Sequence, residues 1–301
     1  MRTPSDSSKV QSLSLLEIPR QFLGECHYRF DPSMNSLKAN PWIHTPPATS
    51  AALLRLFCFP YAGGGAAVYR KWSEALPATV DVCPVLLPGR EARLSEPAIS
   101  SVFPLVDALA PAITPFLDRP FVFFGHSMGS LVAFELARKL RRERNLLPQC
   151  LYVSARVAPC VTLKSQPMST LAEDEFLQAL ARFNGSEKGA LQHTELMKLM
   201  IPTLRADFAL HEDYRYREEP ALECPIVVFG GLQDLTTDKQ GLNAWRNHTN
   251  RGFIQRMFAG DHFFINTQQS FFLSSFSQEL HRILAALRRE PLARCLTGQT
   301  A

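Results

Sequence analysis

The sequence predicts an α/β fold: a mostly parallel central sheet flanked by helices, with a helical lid inserted over it. Three observations predict it. After Leu53, six short apolar runs of strand length alternate with helix-period segments, the pattern of a parallel sheet with helices on both faces. Most of these runs are continuously apolar, as strands covered on both sides are. One connection, residues 156 to 223, is far longer than a crossover loop and carries helical periodicity of its own.

In chain order, residues 1 to 40 are polar, irregular and Pro-containing and read as an N-terminal extension, poorly ordered and outside the core. Met34 lies inside this arm and would allow a shorter translated form. The main domain is expected over 41 to 290, with a C-terminal tail over 291 to 301. Its strands are LLRLFCF (53 to 59), VDVCPVLL (80 to 87), PFVFFG (120 to 125), CLYVSA (150 to 155), CPIVVFG (224 to 230) and GFIQRMF (252 to 258). Val102, Leu105, Val106, Leu109, Ile113, Phe116 and Leu117 recur at helical spacing, with Pro104, Pro111 and Pro115 expected to start, kink and end that helix. Further helices are expected after Ser127, near Gly241 to His248, and over about Gln268 to Arg288.

The lid is placed at about 157 to 217. Thr170-x-x-Glu173 is a capping-box pattern ahead of an apolar face formed by Phe176, Leu177 and Leu180. Met197, Met200, Ile201, Leu204 and Phe208 form a second stripe. Met197, Met200 and Met168 would give such a lid an adaptable apolar lining.

Composition excludes several function classes. The chain is 46% hydrophobic and 20% charged, with a net charge of +4, too apolar for a disordered chain. Its longest apolar runs are strand-sized, well short of the roughly 20 residues of a membrane span. The N-terminus lacks the apolar core of a secretory signal, so a cytoplasmic location is expected.

Seven cysteines, Cys26, Cys58, Cys83, Cys150, Cys160, Cys224 and Cys295, are scattered without a close pair. That opposes a disulfide framework and a zinc site, and Cys58, Cys83, Cys150 and Cys224 fall at or in strand-like runs as small core residues. The basic run Arg138 to Arg144 has no interleaved aromatics. It is expected to be a solvated helix end, not a nucleic-acid surface.

The chemistry centres on Gly125-His126-Ser127-Met128-Gly129. This is G-x-S-x-G between a strand run and a helix-period segment, the setting of a nucleophile elbow. By chance such a pattern would occur on the order of 0.1 times in a chain of this size. A serine hydroxyl needs a base, and the base an orienting acid. On an α/β-hydrolase sheet these follow in the order Ser, Asp or Glu, His.

His262, in the loop after the last predicted strand, is the candidate base. His126 adjoins the serine and is expected to pack or hydrogen-bond beneath the elbow. His193, His211, His248 and His281 fall in or beside helix patterns, as surface or core residues. Asp234, three residues past CPIVVFGG, is the candidate acid; carboxyl ends of parallel strands gather active-site groups. Asp238 is the alternative, although it would serve as a helix N-cap, and Asp261 is expected to shape the base's loop. The oxyanion requires two N–H donors. Met128, after the nucleophile, supplies one, and Ala62 in Pro60-Tyr61-Ala62-Gly63-Gly64-Gly65 the other. That Gly-rich loop has neither the Lys-Ser/Thr of a P-loop nor a G-x-G-x-x-G pattern.

Taken together, FCFPYAGGGA (57 to 66), LPGRE (87 to 91), FGHSMGSLVAFELAR (124 to 138), FGGLQD (229 to 234), AWRNHT (244 to 249) and FAGDHFFI (258 to 265) resemble the type II thioesterases, the stand-alone editing enzymes of nonribosomal peptide and polyketide synthesis. The resemblance spans about Pro41 to Leu287. It implies an α/β-hydrolase with a mobile helical lid that hydrolyses acyl thioesters on the phosphopantetheine arm of carrier proteins and needs no cofactor or metal. It also implies Ser127 as nucleophile, His262 as base, Asp234 as acid, and Ala62 and Met128 as oxyanion donors. Two departures stand out: Leu235 follows the acid where family members often have Pro, and the arm before Pro41 has no counterpart. Arg90 and Arg93 are expected to be exposed, as ordinary solvated charge before contacts for an acidic carrier, whose docking surface the sequence does not mark. An esterase or lipase acting on oxygen esters is the alternative activity, since fold does not fix function. A non-catalytic binding protein is the third reading.

Overall fold

The computed structural model describes residues 40–44, 52–162, 167–183 and 194–297. The predicted arm, residues 1 to 39 of it with Met34, lies outside the described residues, as does His193.

The elements are β1 (Leu54–Phe59), α1 (Trp72–Ala75), β2 (Val80–Pro84), α2 (Val102–Ile113), β3 (Phe121–His126), α3 (Met128–Arg144), β4 (Leu151–Ser154), α4 (Glu173–Phe183), α5 (Thr194–Glu212), β5 (Ile226–Gly231), α6 (Lys239–Asn243), β6 (Phe253–Phe258), α7 (Phe264–Thr267) and α8 (Gln269–Thr297). The six strands form one sheet in the order β2-β1-β3-β4-β5-β6, and every neighbouring pair is parallel. All six predicted runs are strands, and the closing helix continues past Arg288, its expected end, to Thr297.

The alternation of side chains along each strand explains why the runs are continuously apolar. Phe57, Phe59, Phe123 and Val228 face one layer, packed with Val106, Leu109, Leu131 and Phe134 of α2 and α3. Leu56, Cys58, Phe124 and Phe229 face the other, against Trp72 and the Phe272, Phe276 and Leu280 face of α8. Cys58, Cys83, Cys150 and Cys224 are buried in these layers. Burial raises the Cys58 and Cys150 thiols well above the ordinary range and pushes Cys83 up to about 12, which keeps them protonated.

β6 departs from the expectation of a core strand. It is half-buried over most of its length, because it pairs only with β5 at the sheet's edge, so Gln255 and Arg256 are accommodated.

Pro104 falls in the first turn of α2, where its missing N–H was an orphan in any case. Pro111 lies inside the helix near its end. The helix then passes into a 3₁₀ turn at Thr114–Phe116 that contains Pro115.

The basic run at the end of α3 is solvated at Arg142 to Arg144 but not throughout. Arg138 is buried and pairs with Glu135 at 2.6 Å and Glu219 at 2.9 Å. Arg141 and Arg142 also reach Glu219, at 3.0 and 2.6 Å. These cations thereby secure the segment that returns from the lid to β5.

α4 and α5 lie between β4 and β5, as the long connection requires. The two predicted stripes meet: Phe176, Leu180, Met197, Ile201, Leu204 and Phe208 form a separate small core. Met168, Leu177, Met200 and Ala62 pack against it. The lid thus covers the loop after β1.

The heaviest aromatic packing lies under α8, where the Phe276 ring meets those of Trp72, Phe124, Tyr152, Phe229 and Phe272. Phe276→Ala is expected to lower the unfolding free energy by about 3–5 kcal/mol in denaturant titration. Leu235→Ala, at a residue 99% exposed, should change it by less than about 0.5 kcal/mol.

Candidate active site

β3 delivers the chain to the elbow. Ser127 has φ 52° and ψ −117°, a conformation that costs a non-glycine residue of order 1–3 kcal/mol unless its surroundings enforce it. They do. Ser127 N–H donates to Ser154 O at 2.8 Å. The Ser130 hydroxyl donates towards Gly125 O and Ser154 O, and accepts from Ser154 N–H. β3, β4 and the first turn of α3 are thereby locked around the serine. A Cβ on Gly129 would stand 2.1 Å from Phe59 O, so glycine is what lets the start of α3, with the Met128 N–H, lie against the loop after β1.

The candidate base and acid meet. His262 Nδ1 lies 2.9 Å from Asp234 Oδ2, with both side chains shielded from solvent. Such a bond fixes the tautomer with the proton on Nδ1, leaving Nε2 to accept one. Asp238 does not take part: it caps α6, accepting the Gly241 N–H at 2.5 Å. Asp261 accepts from Phe263 N–H at 2.9 Å and shapes the base's loop.

Two residues that sequence reasoning missed hold the acid. Asp234 Oδ1 accepts the Thr236 N–H at 2.8 Å and the Thr236 hydroxyl at 2.7 Å, and Oδ2 accepts the Thr237 hydroxyl at 2.7 Å. The Thr236 oxygen also lies 2.9 Å from His262 Nδ1. The available signal was Asp-Leu-Thr-Thr itself, a carboxylate followed at two and three residues by hydroxyls able to close a local turn. Burial raises the Asp234 pKa, but hydrogen bonding and charge from His262, with the Thr236 bonds, outweigh it and lower the value to about 2.

His126 lies beneath the elbow, as expected. It is fully buried, with Nδ1 2.8 Å from Ser154 Oγ. Its ring adjoins those of Tyr61, His262, Phe263 and Phe264 at 5.4–6.3 Å between centroids. The loop after β1, the elbow and the loop after β6 therefore converge on one imidazole. Burial, aided by His262, pushes the His126 pKa well below its ordinary value, so this floor is uncharged. Burial likewise lowers His211 to about 3 and His248 to about 4. His281 is exposed on α8 and bonds back to Ser277 O.

Arg90 and Arg93 overturn the expectation of exposed, solvated charge. Both are buried. Arg93 pairs with Glu96 and lies over the Trp42 ring, and Arg90 pairs with Asp207 of α5. Among the described residues no helix is long and apolar enough to cross a membrane.

Comparison with known proteins agrees with this architecture. Residues 54–280 match the Thioesterase domain family. The gramicidin S biosynthesis protein GrsT of Aneurinibacillus migulanus is 40% identical over 248 residues, covering 82% of this chain and 97% of that protein. Thioesterase PikA5 of Streptomyces venezuelae is 36% identical over 223 residues, 74% of this chain and 79% of its own. The solved structure of the type II thioesterase BorB from the borrelidin biosynthetic cluster superposes with a TM-score of 0.75 at 32% identity, covering 81% of this chain and all of that one.

Asp234, charged well below its ordinary range, stabilises the fold fully above the unfolded pKa of 3.8, and that contribution is lost as pH falls through about 2. The shift corresponds to about 2 kcal/mol. Asp234→Asn should therefore be less stable than wild type by about that amount at pH 7, and the gap should close between about pH 4 and pH 2. A gap constant across that range in urea titrations would contradict the pairing.

Proposed function

This chain belongs to the thioesterase family, and from that premise we propose that it is a type II thioesterase, a serine hydrolase that removes acyl groups from the phosphopantetheine arm of carrier proteins in nonribosomal peptide or polyketide synthesis. The observation that carries the reading is the 2.9 Å contact of His262 Nδ1 with Asp234 Oδ2, at the end of the sheet where the Ser127 elbow stands. Relatives named for gramicidin S biosynthesis and as a thioesterase support it, as does the likeness to a type II thioesterase from a biosynthetic cluster.

In this reading Ser127 Oγ attacks the thioester carbonyl while its proton passes to His262 Nε2. Asp234 holds the imidazole in place and stabilises the imidazolium that forms. Charge gathers on the carbonyl oxygen, which takes hydrogen bonds from the Met128 and Ala62 N–H groups. The C–S bond then breaks. A thiol of ordinary pKa about 8.5 is a better leaving group than an alkoxide, so C–S cleavage can run ahead of proton transfer, and the imidazolium then gives its proton to the departing sulfur, which leaves His262 neutral. The acyl group remains as an ester on Ser127 until a water, deprotonated by His262, attacks it; the imidazolium then returns that proton to Ser127 Oγ as the carboxylic acid departs. Every step uses side chains and backbone of this chain, and the reading calls for no cofactor or metal.

The substrate arrives on a carrier protein, which makes carrier domains the partner and the cytoplasm the location. The lid core formed by Phe176, Met197, Ile201 and Leu204 packs against Ala62. It is therefore the surface best placed to select the acyl chain.

Intact-protein mass spectrometry of an acetyl- or propionyl-loaded carrier tests the reading. Wild type should remove the acyl mass catalytically, and Ser127→Ala should slow removal by on the order of 10³-fold or more. Undiminished release by Ser127→Ala would sink the proposal, and a strong preference for a matched oxygen ester would reassign the enzyme as an esterase.

A further inference from the structure

Beneath the lid lies a buried ion pair that the chemistry above does not use. Asp207, on α5, is 1% exposed, and Arg90, in the loop after β2, is 5% exposed. They meet as a fork, with Arg90 Nη1 donating to Asp207 Oδ2 at 2.9 Å and Nη2 to Oδ1 at 2.7 Å. Exchanging such a pair for apolar residues of similar volume is often neutral or stabilising, so stability alone is a poor account of it.

Apart from Arg90 Nε, which donates to Pro88 O at 3.3 Å, its remaining bonds run to one turn. Arg90 Nη1 also donates to Gly64 O at 2.9 Å, and the Gly63 N–H donates to Asp207 Oδ2 at 2.8 Å. Within that turn the Gly64 N–H donates to Tyr61 O at 2.9 Å, and Gly63 has φ +76°. Tyr61-Ala62-Gly63-Gly64 is therefore a type II turn, whose third residue needs positive φ.

Types I and II differ by a flip of the central peptide, here the Ala62 carbonyl and the Gly63 N–H. The Asp207 carboxylate accepts that N–H, which selects the type II form, and Arg90 holds the Gly64 carbonyl at the end of the turn. Leu204, nearly one turn earlier on α5, closes the same space: a Cβ on Gly63 would stand 2.6 Å from its Cδ2.

We propose that Arg90 and Asp207 are positioning residues for acyl transfer, anchoring through the Gly63 N–H and the Gly64 carbonyl the Tyr61–Gly64 turn that carries the Ala62 N–H to the tetrahedral oxyanion, and so tying the oxyanion hole to lid helix α5. This rests on the reading of Ser127 as nucleophile and Ala62 as oxyanion donor. One consequence is that a movement of α5 that withdraws Asp207 also releases the turn. Full transition-state stabilisation then requires a seated lid.

The test is steady-state kinetics on an acyl-loaded carrier, combined with the affinity of an alkyl boronic acid, whose tetrahedral adduct on the serine places an oxygen in the hole. Asp207→Ala should lower kcat by about 10- to 100-fold, approaching the loss of a whole oxyanion donor, with KM changed by less than about twofold. Boronate affinity should fall in parallel. Asp207→Asn, which keeps an amide oxygen for the Gly63 N–H, should recover most of kcat.

Thr203→Val removes another tether of α5, the Thr203 hydroxyl on Gly89 O at 2.6 Å, without touching the turn. It should leave kcat within about twofold of wild type. Unchanged kcat and boronate affinity in Asp207→Ala, a loss confined to KM, or an equal loss in Thr203→Val would overturn the proposal. Should Asp207→Ala not fold, Arg90→Lys decides by the same two readouts: a joint fall supports the positioning role, and no fall overturns it. Inactive wild type would overturn the thioesterase reading itself, a result distinct from active wild type with unaffected variants.

Discussion

Ser127 at φ 52° is the constraint around which the rest of the structure is arranged. A serine held in that conformation stores strain, and the strain persists only where neighbouring elements leave no alternative. Here β4 supplies the Ser154 carbonyl for the Ser127 N–H, and Ser130, one turn into α3, bonds back across the elbow. Close packing of α3 onto the end of β1, through Gly129, sets the Met128 N–H beside the turn that carries Ala62. The central strands are buried on both faces to make that edge rigid. Local backbone strain is thus offset by the packing of two apolar layers.

Electrostatics then distinguishes one histidine from the others. His126, His211 and His248 are packed in apolar surroundings, and burial lowers each of them, so at neutral pH they serve as uncharged rings. His262 instead faces a carboxylate that Thr236 and Thr237 hold in orientation. An imidazole next to a fixed negative charge can take a proton during reaction without a large penalty. The uncharged His126 ring beneath it is a floor, not a competitor.

Much of this was legible in the sequence, for a physical reason. Strands covered on both faces must be continuously apolar, so most of the six runs stood out, and G-x-S-x-G between a strand and a helix marks the elbow by steric necessity. The order Ser127, Asp234, His262 follows from the topology. What escaped was set by long-range partners. Arg90 and Arg93 carry the residue type of a surface and the burial of a core, because Asp207 lies 117 positions away in sequence and Trp42 stacks on Arg93 only after folding. The edge position of β6 depends on sheet order, and a strand's own residues state that weakly. Thr236 and Thr237 were visible as letters, yet their role appears only once the Asp234 carboxylate has a direction.

The central claim is that these groups act as one nucleophilic unit at Ser127. Reaction of the folded protein with a fluorophosphonate, followed by proteolysis and peptide mass mapping, tests it most directly. The account predicts one covalent adduct on the peptide carrying Ser127, formed far more slowly when His262 is replaced by Ala and more slowly in Asp234→Asn. An adduct on a different serine, or undiminished labelling of Ser127 without His262, would contradict it.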